Sequence, residues 1–132
     1  MADAKTPVER PLSPHLQIYR PMLTMTMSIV HRITGAALYV GTVLLAAFLV
    51  ATASGKGAYD MAAAIYGSWF GKLVLFGYTW PLVHHMFGGI RHFIWDTGRG
   101  LTHPMRENIV KATLIGSVAV TAILWVLVLT AR

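Results

Sequence analysis

At 132 residues the chain is long enough for one small domain and too short for a separate catalytic one. Hydrophobic residues make up 55% of it and charged residues only 12%, against about 25% charged in a typical soluble domain, so it reads as a membrane protein. The net charge of +6 does not indicate nucleic acid, because the basic residues flank apolar runs, and the lack of cysteine excludes structural disulfides and thiolate ligation of an iron–sulfur cluster by this chain.

Residues 1–24 are polar and carry Pro7, Pro11, Pro14 and Pro21. They lack a signal-peptide core and the Arg and Ser content of a transit peptide. Prolines prevent a regular helix before about Pro21, so this segment is expected to be an irregular arm on the membrane surface. His15, Tyr19 and Arg20 on it could touch a partner, or the arm could simply be solvated.

The first span follows, over about 25–53. Residues 33–55 contain no Asp, Glu, Lys or Arg, and Gly35 and Gly41 mark faces where another helix can approach closely. Ser28, His31 and Arg32 lie just before the uncharged run, at i, i+3 and i+4. Three polar groups there could hydrogen-bond the polar head of a lipid-soluble molecule. The plain alternative is that Arg32 snorkels as a span-end anchor and His31 is a satisfied interfacial residue. Residues 54–68 read as a short connection, with helix expected to resume around 62–66, and Tyr59, Tyr66 and Trp69 suit the membrane interface.

A second span is expected over about 64–95. Its uncharged core, Leu73 to Ile90, is 18 residues long and contains Pro81, which a membrane helix tolerates at the expense of a local hydrogen bond. The stretch H-H-M-F-G-G-I-R-H-F-I-W-D at 84–96 is the most informative in the chain. An ionisable residue inside a span is a functional-site hypothesis by default. His85 lies six residues before Arg91, roughly 9 Å deeper along the helix. His85, Gly88, Gly89 and His92 fall at i, i+3, i+4 and i+7 and share a face, where glycines leave room for a flat ligand such as a haem with an axial imidazole. His84 lies about 100° away, with Phe87, Gly88 and Arg91; spacing alone leaves either histidine as the ligand, or both as helix-packing residues.

Residues 95–111 form a polar connection in which Gly98 and Gly100 suit a helix end and turn. The third span, about 107–131, carries no motif and reads as a packing helix. The fold expected is therefore all-α: an irregular arm over 1–24 and a three-transmembrane-helix anchor domain over 25–132. Lys5, Arg10, Arg20, Arg32, Arg91, Arg99, Arg106 and Lys111 fall on one side, and Lys56, Lys72 and Arg132 on the other. Eight basic residues against three place the N-terminus in the cytoplasm. Ser28, Arg32, Arg91 and His92 then share one depth, as a single site requires.

The stretches S-I-V-H-R-I-T-G at 28–35, H-x6-H with G-I-R-H-F-I-W-D at 85–96, and R-P-L-S-P-H-L-Q-I-Y at 10–19 resemble the cytochrome b membrane-anchor family of succinate dehydrogenase. Three separated motifs in order make the resemblance specific across the arm and the first two spans. The third span agrees only in hydrophobicity and position.

The resemblance implies an anchor for a flavoprotein subunit and an iron–sulfur subunit, beside a second small membrane anchor, in membrane lipid. Succinate would be oxidised at the flavin and ubiquinone reduced at the membrane surface, within the tricarboxylic acid cycle and respiratory chain. A haem b would lie between the two anchors, with one axial histidine from each. His85 matches the family's ligating position, Ser28 and Arg32 its quinone positions, and His31 a residue beside the quinone and the haem propionates; His92 is the histidine of G-I-R-H. The membrane would be the bacterial inner membrane or, alternatively, the mitochondrial one. Two rival readings stand beside this. One is a quinol:fumarate reductase anchor, though a single-chain two-haem site needs four deep histidines and only His84 and His85 are deep. The other is a non-redox packing protein, which an absorption spectrum would distinguish.

Overall fold

The structure is a computed structural model and describes residues 11–131. The start of the expected arm, over residues 1–10, and Arg132 lie outside the described residues, and with them Lys5 and Arg10 of the charge count. Every regular element among the described residues is a helix: α1 (His15–Ile18), α2 (Leu23–Ala53), α3 (Lys56–Gly67), α4 (Trp69–Asp96) and α5 (Met105–Thr130).

The arm is less irregular than its prolines suggest. The Pro14 carbonyl accepts from the backbone N–H groups of Gln17 (2.9 Å) and Ile18 (3.1 Å), closing the four-residue helix α1. Proline blocks the hydrogen bond behind it and not the turn ahead of it. Helix α2 then begins directly after Pro21-Met22 and runs 31 residues without a break.

Where a connection leading into one long second helix was expected, two helices meet at Ser68. Its backbone is extended (φ −63°, ψ 162°), ending α3 and starting α4, and its Oγ accepts from Gly71 N–H. This is an N-cap, which satisfies a donor left free at the helix start. Gly71 fits because a side chain there would collide with the Ile65 and Tyr66 carbonyls of the preceding helix. After α4, Gly98 and Gly100 take positive φ (75° and 72°), the left-handed conformation that turns the chain into α5.

Helix α4 is central. It packs against both α2 and α5, while α3 lies across α2 and α4. Helices α2 and α5 are long and apolar enough to cross a membrane by length and composition. Helix α4 is 28 residues long and carries Pro81, His84, His85 and Arg91 along its length. Few apolar side chains are buried: Met27, Ala62, Val83 and Val110. Tyr39, Ile115 and Phe93 are among many large apolar residues left exposed. A surface this apolar faces lipid or other chains rather than water.

The helices are held by small residues and polar contacts, as expected where lipid tails are as apolar as the side chains. The Tyr78 ring occupies the place a side chain at Gly41 would fill, and its hydroxyl donates to the Ala37 carbonyl. Trp125 Nε1 on α5 donates to Thr79 Oγ1 on α4 (3.1 Å). Gly41→Val should force the Tyr78 ring off α2 and break this hydrogen bond. The expected effect is a destabilisation of about 1–3 kcal/mol by overpacking, read as a lower unfolding temperature in detergent.

Candidate functional site

His31, Thr34 and Gly35 on α2 meet α4 at His85, Gly88 and His92. Here the bundle gathers three histidines from two helices. The rings of His31 and His85 stack with centroids 3.9 Å apart and planes 7° from parallel. His92 lies 5.6 Å from His31, tilted by 51°, and packs edge-on to Trp95. Close approach depends on two glycines. A side chain on Gly88 would collide with the His31 ring, and a Cβ on Gly35 would sit 3.0 Å from His85 Cε1.

Both glycines of the 88–89 pair were expected to leave ligand space. Only one does. His31 of the same chain takes the space over Gly88, while nothing lies within 4 Å of a Cβ built on Gly89. The opening on the His85 face is therefore beside Gly89. Farther along the bundle an apolar groove of about 510 Å³ lies between α2, α3 and α4; its lining begins at Leu38, one turn beyond Thr34, and Leu82, one turn before His85.

His85 is half-buried. Its Nδ1 lies 3.4 Å from Thr34 Oγ1, and its Nε2 makes no hydrogen bond among the described residues. His84 differs in burial and in the helix it meets. It is 0% exposed, its ring stacks on Trp80 at 5.1 Å, and its Nδ1 is 3.1 Å from Ser117 Oγ on α5. The face that His84 shares with Phe87 and Arg91 is the one that packs on α5: Phe87 lies 3.2 Å from a Cβ built on Gly116. The glycines beside His85 favoured it over His84 without excluding His84; the packing sets His84 in the α4–α5 interface and His85 against α2.

The α2 residues also divide. His31 turns inward to α4, whereas Ser28 and Arg32 are exposed, leaving a hydroxyl and a guanidinium available to a molecule outside the chain. His15, Tyr19 and Arg20 on the arm are likewise exposed. Ser28, His31 and Arg32 thus straddle one edge of α2 rather than converging on a point.

Two features escaped the sequence reading. Thr34 lies within the 28–35 stretch, is 2% exposed and meets His85. Its signal is the three-residue spacing from His31, which places it on the inward side of α2. Arg91 is 3% exposed, with Nε and Nη1 unpartnered among the described residues, and its guanidinium carbon lies 5.1 Å over the Trp95 ring. A buried cation of this kind gains from the aromatic face. Sequence placed Arg91 at a membrane surface, and nothing in its spacing revealed that the side chain is enclosed.

The sequence pattern of the family described as succinate dehydrogenase/fumarate reductase transmembrane subunit matches residues 6–128. Among similar proteins is a succinate dehydrogenase cytochrome b556 subunit of Paracoccus denitrificans, 43% identical, covering 86% of this chain and 88% of that one. A mitochondrial succinate dehydrogenase cytochrome b560 subunit of Sus scrofa is 40% identical over 86% of this chain and 70% of its own. A cytochrome b556 subunit of Rickettsia conorii is 32% identical over 89% of this chain and 92% of its own.

Proposed function

The chain belongs to the succinate dehydrogenase/fumarate reductase transmembrane subunit family, and on that premise we propose that it is the cytochrome b anchor of a succinate:ubiquinone oxidoreductase. In this reading α2, α4 and α5 all span the membrane, with the N-terminus cytoplasmic. The polar residues of α4 face the bundle and a partner chain, where intramembrane ionisable groups belong. The chain docks the flavoprotein and iron–sulfur subunits together with a second small anchor, whose helices cover part of the exposed apolar surface.

The observation that carries this reading is the His85 imidazole: half-buried, ring-stacked, with Nδ1 engaged by Thr34 and Nε2 without a hydrogen-bond partner among the described residues, one turn before a Gly89 that nothing covers. These residues fit a haem b. Its iron needs a neutral imidazole nitrogen with a lone pair, and its macrocycle needs open space beside that imidazole, which the uncovered Gly89 one turn on supplies. His85 would hold the iron from this chain, and a histidine of the second anchor would supply the other ligand. His31 and His92 lie beside His85, and the exposed Arg32 is one residue from His31; these would offer cationic or donor groups to the propionates. When bound, the haem supplies a one-electron redox centre within the membrane.

Ser28 and Arg32 contribute to the ubiquinone site. Succinate gives up two electrons and two protons to become fumarate, and ubiquinone takes up two electrons and two protons to become ubiquinol. Negative charge develops on the quinone oxygens as electrons arrive. A hydroxyl and a guanidinium at the membrane surface stabilise that charge through charge-assisted hydrogen bonds. Arg32 stays protonated, so water or a partner residue delivers the protons.

The test is haem content with and without partners. Purified with all three partner subunits, the chain should give a reducible b-type haem band. Expressed alone it should retain none, because it supplies one axial ligand and leaves the other face of the site to lipid. A full complex without haem, or a bis-histidine spectrum from the isolated chain, would overturn the shared-haem reading.

A further inference from the structure

Thr34 sits where α2 crosses the His85 ring, and its hydroxyl has one proton to give. That proton goes to the His31 carbonyl, three residues back, at 2.8 Å. A threonine in a helix makes this bond to its own backbone readily. The same Oγ1 lies 3.4 Å from His85 Nδ1. With its proton committed, Oγ1 can only accept from the ring, so Nδ1 carries the hydrogen and donates.

We infer that Thr34 is a positioning residue, which holds His85 in the Nδ1–H tautomer and so presents the Nε2 lone pair to the haem iron. The proposal rests on the reading of His85 as that ligand. Three contacts from α2 act on the ring at once. Thr34 engages Nδ1, Gly35 leaves only the room Cε1 needs (a Cβ there would lie 3.0 Å from it), and the His31 ring lies flat on its face at 3.9 Å. Rotation about the last side-chain bond would break the hydrogen bond, and tilting would drive the ring into His31 or Gly35. The wrong tautomer would put a proton on the ligating nitrogen and set two acceptors against each other at Thr34. Burial makes that mismatch costly, since Thr34 is 2% exposed and no water competes freely there.

An Nδ1–H bond to an acceptor also makes the imidazole a stronger donor through Nε2. A stronger donor favours ferric over ferrous haem, so Thr34 should hold the reduction potential down.

The experiment uses the complete four-subunit complex carrying Thr34→Val, Thr34→Ser or His85→Ala. Valine keeps the shape of threonine and loses the acceptor. Second-shell losses typically weaken metal retention by 10- to 100-fold, so haem transfer from the Thr34→Val complex to excess apomyoglobin should be at least about tenfold more extensive. At a fixed redox poise its ferrous:ferric ratio should rise by up to about tenfold, equivalent to about 59 mV for a one-electron couple. Thr34→Ser keeps the hydroxyl and should restore both values, which a purely steric role would not predict. Where valine impairs assembly, Thr34→Ala removes the same acceptor without adding bulk and should shift the potential the same way. A Thr34→Val or Thr34→Ala complex with wild-type potential and haem retention, alongside a haem-free His85→Ala complex, overturns the role of Thr34 and leaves the ligand reading intact. A wild-type haem spectrum in His85→Ala overturns both.

Discussion

Replacing His85 with alanine should abolish the b-type haem spectrum of the assembled complex, while His84→Ala should leave it in place. The two residues are neighbours in sequence and offer the same imidazole, so the difference lies wholly in what surrounds them. His84 Nδ1 faces Ser117 Oγ at 3.1 Å, and Ser117 in turn donates to the Leu114 carbonyl at 2.8 Å. The serine proton is used, so His84 Nδ1–H donates and Nε2 holds the lone pair. That nitrogen is sealed inside the bundle with no partner among the described residues. A macrocycle could reach it only by displacing α5. His84→Ala instead removes a ring from a packed interface and should destabilise the fold by about 2 kcal/mol, seen as a lower unfolding temperature with an unchanged haem band. His85 lies on the opposite side, half-buried against α2, with Nε2 free. Reduced-minus-oxidised difference spectra, normalised to assembled complex, decide between them. Loss of the band in His84→Ala and its survival in His85→Ala would reverse the assignment. Succinate oxidation with a soluble acceptor should persist in both variants if, as proposed, another subunit carries the flavin.

The contrast between these histidines also marks how far the sequence could be read. A helix turns 100° per residue, so His84 and His85 had to face different neighbours. Which neighbour met which was not legible, because that depends on how α2 and α5 pack around α4. A trace existed in the third span. Thr113, Ser117 and Thr121 recur every four residues and are all buried, forming one polar stripe against α4. Hydropathy hides such a stripe, because each hydroxyl bonds a carbonyl of its own helix and the segment still averages as apolar.

The long helices and their order were visible as uncharged runs, since a 20-residue apolar stretch has few other uses. The break at Ser68 was not, because one hydroxyl capping one amide leaves no periodic signal. Gly88 shows a different limit. Sequence correctly read an absent side chain as space, but a residue 57 positions earlier, His31, fills it. Membership of a cluster was legible at His31, His85 and His92 through their motifs. The small residue that organises the cluster, Thr34, was hidden in plain view inside one of them.

Arg32→Leu should lower ubiquinone reduction by on the order of 100-fold, the usual loss when a single stabilising donor is removed from a developing oxyanion. Ser28→Ala should lower it by about tenfold, in line with one neutral hydrogen bond of about 1.4 kcal/mol. Both side chains are exposed in this chain, so neither is needed to hold the bundle together. Ser28 lies nearly two turns of α2, and Arg32 less than one turn, before the Thr34–Gly35 contact with His85, on the side that carries most of the basic residues. An iron–sulfur partner approaching that surface would bring electrons to a quinone head held there. Succinate oxidation with a soluble artificial acceptor bypasses this site and should continue at the wild-type rate in both variants. That pairing separates a lost quinone site from a lost subunit, provided both rates are normalised to assembled complex. His31 should behave differently from its two neighbours. Its ring is committed to the stack on His85, so His31→Ala should disturb the haem spectrum first and quinone reduction second. If Arg32→Leu and Ser28→Ala complexes assemble and reduce ubiquinone at the wild-type rate, Arg32 is a snorkelling anchor at the end of a span, and the quinone binds elsewhere in the complex.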